Sequence, residues 1–190
     1  MKKNTIQSLM IELGVSDAVA AGMTLVHSQA RVYILETPVA IGKRTARRLG
    51  ASYYMIRKRP LGKELIPVKL SLHPGLFTPG LRDELIDTFL HEVAHFIAEV
   101  RWLQLRPLGR RRRAGHGPVW EHVMLTMGRP PKRCADPEVA LRMASFAPAP
   151  KEVARCEKCS HTWYGLRRQT KYDRRYYTHN DCGGRIRSVR

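Results

Sequence analysis

The chain has 190 residues, 43% of them hydrophobic, with 34 Lys and Arg against 16 Asp and Glu and a formal net charge of +18. That hydrophobic share supplies a packed core and excludes a wholly disordered chain, and the length suits one principal domain with a small appendage. The positive excess points to a polyanionic partner, nucleic acid before an anionic membrane surface, and no stretch approaches the roughly 18 apolar residues of a membrane span.

The opening Met1-Lys2-Lys3 has the charge of a signal peptide. Asn4, Thr5, Gln7, Ser8 and Glu12 interrupt the apolar run, so this segment reads as the first helix of a cytosolic protein. Ile6, Leu9, Met10 and Leu13 recur at helical spacing, and Ser16 is placed to cap a second short helix through Ala21. Arg31–Leu35 alternates and carries β-branched residues, which predicts a strand. The segment 42–50 is a basic turn holding Lys43, Arg44, Arg47 and Arg48. Ala51–Arg57 and Ile66–Leu72 read as neighbouring antiparallel strands joined through Pro60-Leu61-Gly62, the second ending at His73-Pro74-Gly75.

From Pro79 the period changes. Leu81, Leu85, Ile86, Phe89, Leu90, Val93, Ala94, Ile97 and Val100 recur at three and four, predicting a helix to about Leu103. A basic loop, Arg110–Arg113, leads to Gly115-His116-Gly117-Pro118, and the proline suits the first turn of another helix with Trp120, Val123, Met124 and Met127 on one face. Asp136-Pro137 reads as the start of a short helix to about Ala144. Ala147-Pro148-Ala149-Pro150 forms a stiff linker. The expected division is a domain over 1–146, a linker over 147–153 and a small module over 154–190 that holds three of the four cysteines.

His91-Glu92-Val93-Ala94-His95 is an H-E-x-x-H sequence within that long helix. Positions i and i+4 lie one turn apart, so both imidazoles reach one tetrahedral zinc at roughly 2.1 Å. Glu92 stands beside the first ligand as a base for a water that the metal polarises. The plainer alternative, two core histidines satisfied by backbone carbonyls, leaves the charged Glu92 on a largely apolar stretch without a purpose. A hydrolytic zinc takes three protein ligands and keeps a fourth position open. Glu99 is a poor third ligand, since a straight helix carries it past the metal. His116 is the better candidate, returned by the bend before Pro118, with His122 in reserve.

The order H-E-V-A-H, basic loop, G-H-G-P-V-W-E-H-V-M resembles the SprT-like zinc metalloproteases, the group that includes Spartan. The upstream R-R-L-G-A and V-K-L-S-L segments resemble the same family, and the resemblance covers roughly residues 30–187. It implies an α+β, zincin-like metalloprotease domain of helices and a small antiparallel sheet, with zinc ligands His91, His95 and His116 and catalytic Glu92. For Spartan-type members it implies cleavage of proteins trapped on DNA, with DNA as activator, and it implies a following zinc ribbon.

In the tail, Cys156-x-x-Cys159 and His179-x-x-Cys182 have matching spacing. Two such pairs close a tetrahedral, structural zinc site, here Cys3His where family ribbons carry a fourth cysteine. His161 lies too near Cys159 to mirror the first pair, and Cys134 is left over as a buried apolar residue. Between the pairs, Trp163, Tyr164, Arg167, Arg168, Lys171, Arg174 and Arg175 interleave rings with cations, a pattern suited to stacking bases and meeting phosphates. The resulting expectation is a monomeric zinc endopeptidase, with one catalytic and one structural zinc, acting on proteins on single-stranded or damaged DNA. Its expected location is cytoplasmic or nucleoid-associated, or nuclear in a eukaryote. The alternative is a non-enzymatic DNA- or RNA-binding protein with two structural zincs.

Overall fold

The structure, a computed structural model, describes residues 4–42, 49–60, 62–105, 115–132, 138–139, 141, 151–165 and 177–189. The chain divides into two compact units, Met1–Phe146 and Ala147–Arg190. Both contain small sheets, and the first adds helices, so the class is α+β.

Unit 1 begins with three short helices, α1 (Ile6–Leu13), α2 (Ser16–Met23) and α3 (Ser28–Leu35). Thr5 and Ser8 form a reciprocal capping box at the start of α1, and Gly14 in the left-handed conformation ends it. Ser16 is the first residue of α2 rather than its cap; Val15 occupies the cap position without a side-chain hydrogen bond. The strand expected at Arg31–Leu35 is instead part of α3. Its buried residues are Ala30 and Ile34, four apart, and the His27 ring caps the helix by accepting from Ala30 N–H. Val32 and Tyr33, which suggested alternation, are both exposed. A short apolar run satisfies either period, and burial on one helical stripe decides it.

The first sheet has the order β1-β3-β2, built from β1 (Val39–Ile41), β2 (Gly50–Arg59) and β3 (Gly62–Leu72). β1 runs parallel to β3, and β2 antiparallel to it, with a bulge at Tyr53/Tyr54. Leu70 and Leu72 of β3 are fully buried, which fixes the inward face of the hairpin, and Gly50 and Ser52 are their partners across the ladder. β1 was not foreseen, being only three residues long.

After a 3-10 turn at Pro74–Phe77 comes α4 (Arg82–Leu105), 24 residues with Asp83 and Glu84 in its first turn, where carboxylates favour the helix dipole. Phe89, Leu90, Val93, Ala94, Phe96, Ile97 and Ala98 are all fully buried, so the middle of α4 forms the axis of the core, with only the face of Thr88, His91 and His95 partly open. β2 and β3 pack on it, as do α2, α3 and α5 (Pro118–Thr126). Pro118 takes the first turn of α5 as its sequence predicts. Glu138, Val139 and Leu141 are helical, while Asp136-Pro137, Cys134 and the basic segments at 43–48 and 110–113 lie outside the described residues.

Unit 2 is a sheet of order β5-β4-β7-β6, from β4 (Lys151–Cys156), β5 (Thr162–Gly165), β6 (Tyr177–Thr178) and β7 (Arg185–Ser188), with every pairing antiparallel. β4 starts at Lys151, so the last three residues expected in the linker, Lys151–Val153, are already sheet.

Candidate metal centres

In unit 1, α4 carries His91, Glu92 and His95, and the turn before α5 carries His116. Gly115, at φ 51°, makes the bend that only glycine adopts freely. The His91, His95 and His116 rings lie with centroids 4.8–5.0 Å apart. Their candidate donor nitrogens all lie within 4.8 Å of one another, and the Nε2 atoms of His91 and His116 are 3.0 Å apart. Donors around a tetrahedral ion at ~2.1 Å stand roughly 3.4 Å from each other, so this spacing fits one metal ion.

The protonation states suit the same use. Burial lowers the His91 pKa to about 4, aided by the nearby His116, and the Lys132 backbone partly opposes the shift. Burial likewise lowers His95 to about 3, with His91 and His116 adding to it. Near neutral pH both rings are therefore neutral and free of the proton a metal must otherwise displace. The His91 ring bonds the Lys132 backbone. A carbonyl accepting from Nδ1 selects the tautomer that turns Nε2 towards His116. Trp120, fully buried, stands 4.7–5.8 Å from all three rings, and its Nε1–H makes a long 3.5 Å hydrogen bond to the His91 carbonyl.

Glu92 is only 7% exposed. The Ser52 hydroxyl on β2 lies 2.5 Å from its Oε2 and 3.0 Å from its backbone carbonyl. Glu99 is buried elsewhere on α4 and His122 is exposed on α5; neither joins the donor cluster. A cavity of about 360 Å³ bounded by His27, Tyr33, Arg59, Val100 and Leu103 shares no residue with the triad.

In unit 2, Cys156, Cys159, His179 and Cys182 form the second donor cluster. Cys156 and Cys182 sulfurs are 3.5 Å apart, and His179 Nδ1 is 3.2 Å from Cys159 Sγ and 3.4 Å from Cys182 Sγ. With metal–sulfur bonds of ~2.3 Å and metal–nitrogen bonds of ~2.1 Å, tetrahedral donors lie roughly 3.6–3.8 Å apart, so these four also fit one ion. His179 points Nδ1 into the cluster and Nε2 at Asp181 Oδ2, 3.1 Å away, the outward carboxylate that orients a metal-binding imidazole. The Cys156 thiol is pulled down to about 6, chiefly by the Cys159 backbone N–H. Cys182 moves up: the Gly184 N–H pulls it down, but burial and the facing Cys156 and Cys159 outweigh that.

His161 stacks on His179 at 4.9 Å without joining the donors, and Trp163 meets both rings edge-on. Tyr164 is 67% exposed. Arg167, Arg168, Lys171, Arg174 and Arg175 lie outside the described residues.

Comparisons with protein-family models, with curated proteins and with solved structures give no match. Sequence reasoning named all seven donors. It missed Gly50, Ser52 and the Lys132 backbone, and it read Trp120 only as part of a helix face. Gly-x-Ser at a strand start was the available signal for the first two, since glycine within a strand marks a close approach. No helix among the described residues is long and apolar enough to cross a membrane.

Proposed function

We propose that unit 1 is a zinc-dependent endopeptidase of the SprT-like, zincin-like type, with His91, His95 and His116 as zinc ligands and Glu92 as general base. One observation carries this reading: three imidazoles bring their donor nitrogens within 4.8 Å of one another, and the residue next to the first of them is a buried carboxylate. Three donors leave one position of a tetrahedron for the reacting groups, whereas a purely structural site uses four. Zinc held there would supply a Lewis acid for a water and for the scissile carbonyl.

The chain's own residues do the rest. Glu92 takes a proton from the attacking water and returns it to the amide nitrogen as the C–N bond breaks. The Lys132 backbone bonds the His91 ring and so favours one tautomer, while Trp120 packs edge-on against the same ring and limits its orientation. The apolar middle of α4 keeps bulk water from the rear of the triad, which strengthens each electrostatic contact.

Unit 2 is, in this reading, a zinc ribbon whose four-donor site is closed and structural, held by Cys156, Cys159, His179 and Cys182. Its partner is DNA, single-stranded or damaged. Trp163 and exposed Tyr164 offer rings for stacking, and Arg167, Arg168, Lys171, Arg174 and Arg175 offer charge for phosphates. The net charge of +18 concentrates the peptidase near nucleic acid, so its substrates are proteins associated with DNA.

The test is Glu92→Gln, assayed on a DNA-bound protein with and without single-stranded DNA, alongside metal analysis. The expected outcome is two zincs per chain, unchanged DNA affinity and cleavage reduced by roughly 10²–10⁴-fold. Cleavage at the wild-type rate by that variant removes Glu92 from the mechanism.

A further inference from the structure

Glu92 has to be held as well as present. A carboxylate that is 7% exposed needs hydrogen-bond donors, and a general base needs its oxygens aimed. Side chains two apart on a strand share a face, so Gly50 and Ser52 of β2 point the same way. Their ladder partners Leu72 and Leu70 are fully buried, which makes this the face turned to the core and to α4. Both residues meet the same side chain. Ser52 Oγ lies 2.5 Å from Glu92 Oε2 and 3.0 Å from the Glu92 carbonyl oxygen, so its single hydroxyl hydrogen is shared between the carboxylate, the nearer acceptor, and the helix backbone. A Cβ on Gly50 would stand 2.6 Å from Glu92 Cγ and 2.8 Å from Oε1. Any side chain there would expel the carboxylate from its present place.

We propose that Ser52 is the positioning residue of the catalytic base, with Gly50 providing the notch in β2 that lets the Glu92 carboxylate reach it. The inference rests on the peptidase reading of the triad. A carboxylate is planar, so fixing Oε2 also fixes the direction of Oε1 and hence the line along which a water's proton is taken. Without that hydroxyl, Glu92 keeps its pocket but loses its aim, and displacement of a reacting group by about 1 Å lowers rates by about a hundredfold. The effect falls on the chemical step, since neither residue is a metal donor.

The experiment compares the zinc-loaded full chain with Ser52→Ala and Ser52→Thr on one peptide substrate, with kcat, KM and zinc content measured separately. Ser52→Ala is expected to lower kcat roughly ten- to a hundredfold at unchanged KM and zinc content, and Ser52→Thr, which restores the hydroxyl, to recover most of it. A Ser52→Ala kcat within twofold of wild type overturns the inference, as does an effect confined to KM or accompanied by zinc loss. Should Ser52→Ala fail to fold, Gly50→Ala decides. It leaves the hydroxyl and displaces the carboxylate, so kcat must fall while zinc is retained. A wild-type chain that carries zinc yet cleaves nothing sinks the peptidase reading and this inference with it. An active wild type with an unimpaired Ser52→Ala sinks only the inference.

Discussion

The two donor clusters differ in residues and in construction, three histidines in unit 1 and three cysteines with one histidine in unit 2. In unit 1, His91 and His95 are spaced by one turn of a single rigid helix, and His116 returns through a glycine bend. In unit 2, two short turns at strand ends bring in two donors each, and the sheet is too small to have much core of its own. The first cluster sits on a scaffold that folds through apolar packing around α4. In the proposed reading, the second is what its module folds around. Three donors on a preformed wall leave room for a substrate; four donors on two turns close the sphere and leave none.

Removing one donor from each cluster is the most direct way to break this comparison. His116→Ala and Cys182→Ser should each reduce metal content from two ions to one, measured by elemental analysis. His116→Ala should also abolish peptide cleavage and leave unit 1 folded, with its thermal midpoint lowered only by the lost contribution of metal binding. Cys182→Ser should retain cleavage of a short unstructured peptide within about twofold, while unit 2 loses its β-structure, because binding and folding are coupled there. Loss of peptide cleavage in Cys182→Ser would show that the two clusters are not separable in this way.

Acid should separate them next. In the metal-free chain, burial lowers His91 to about 4 and His95 to about 3, from an ordinary value of 6.5. Below pH 6.5 the unfolded chain takes up protons that the folded one refuses, so folding stability falls as pH falls. The loss begins near pH 6.5 and levels off once both folded values are passed. Its slope is at most ~1.4 kcal/mol per pH unit for each ring. Urea titrations of metal-free protein at pH 7.5, 6 and 5 should give successively lower midpoints, and His95→Gln should flatten that decline. A pH-independent midpoint would mean the rings are not buried as neutral groups.

The helix period and the x-x spacings place donors without any knowledge of the fold, because both are local geometries. His116 needed a return path, and the proline at the head of α5 supplied it. Ser52 and Gly50 were invisible for a different reason. Their partner lies 40 residues away from Ser52, and the strand's register against α4 is a tertiary fact. The Lys132 backbone has no side-chain signature at all. Arg31–Leu35 was misread because a short apolar run fits both periods and only its burial, on Ala30 and Ile34, distinguishes them.

A smaller effect is expected where backbone crowds a donor. A Cβ on Gly184 would lie 2.5 Å from Cys156 Sγ and 2.5 Å from Lys158 Cβ, with the Lys158 amide nitrogen 3.2 Å away. The nearest atom is itself a donor, so relief moves it from its place in the cluster. Gly184→Ala should weaken metal binding in unit 2 by about an order of magnitude, read by competition with a chromophoric chelator, as losses around metal ligands generally do. The triad should hold its ion unchanged in the same titration.

The smallest effect compares the two turns of unit 2 with each other. Ser160 follows Cys159 and Gly183 follows Cys182, and both adopt the left-handed conformation, at φ 59° and 67°. The shared geometry is functional in both, since each turn closes with an amide bonded back to the first donor's carbonyl: Ser160 N–H to Cys156 and Gly183 N–H to His179. Only one turn uses the residue that adopts this conformation without strain. A side chain there costs about 1–2 kcal/mol. Gly183→Ala should therefore destabilise unit 2 by about 1 kcal/mol, while Ser160→Gly, relieving strain but loosening the unfolded chain, should change stability by only a few tenths. Thermal melts of the zinc-loaded chain measure both. Equal and opposite shifts would mean that strain alone governs the turns; a destabilising Ser160→Gly would mean that the serine side chain contributes a contact of its own.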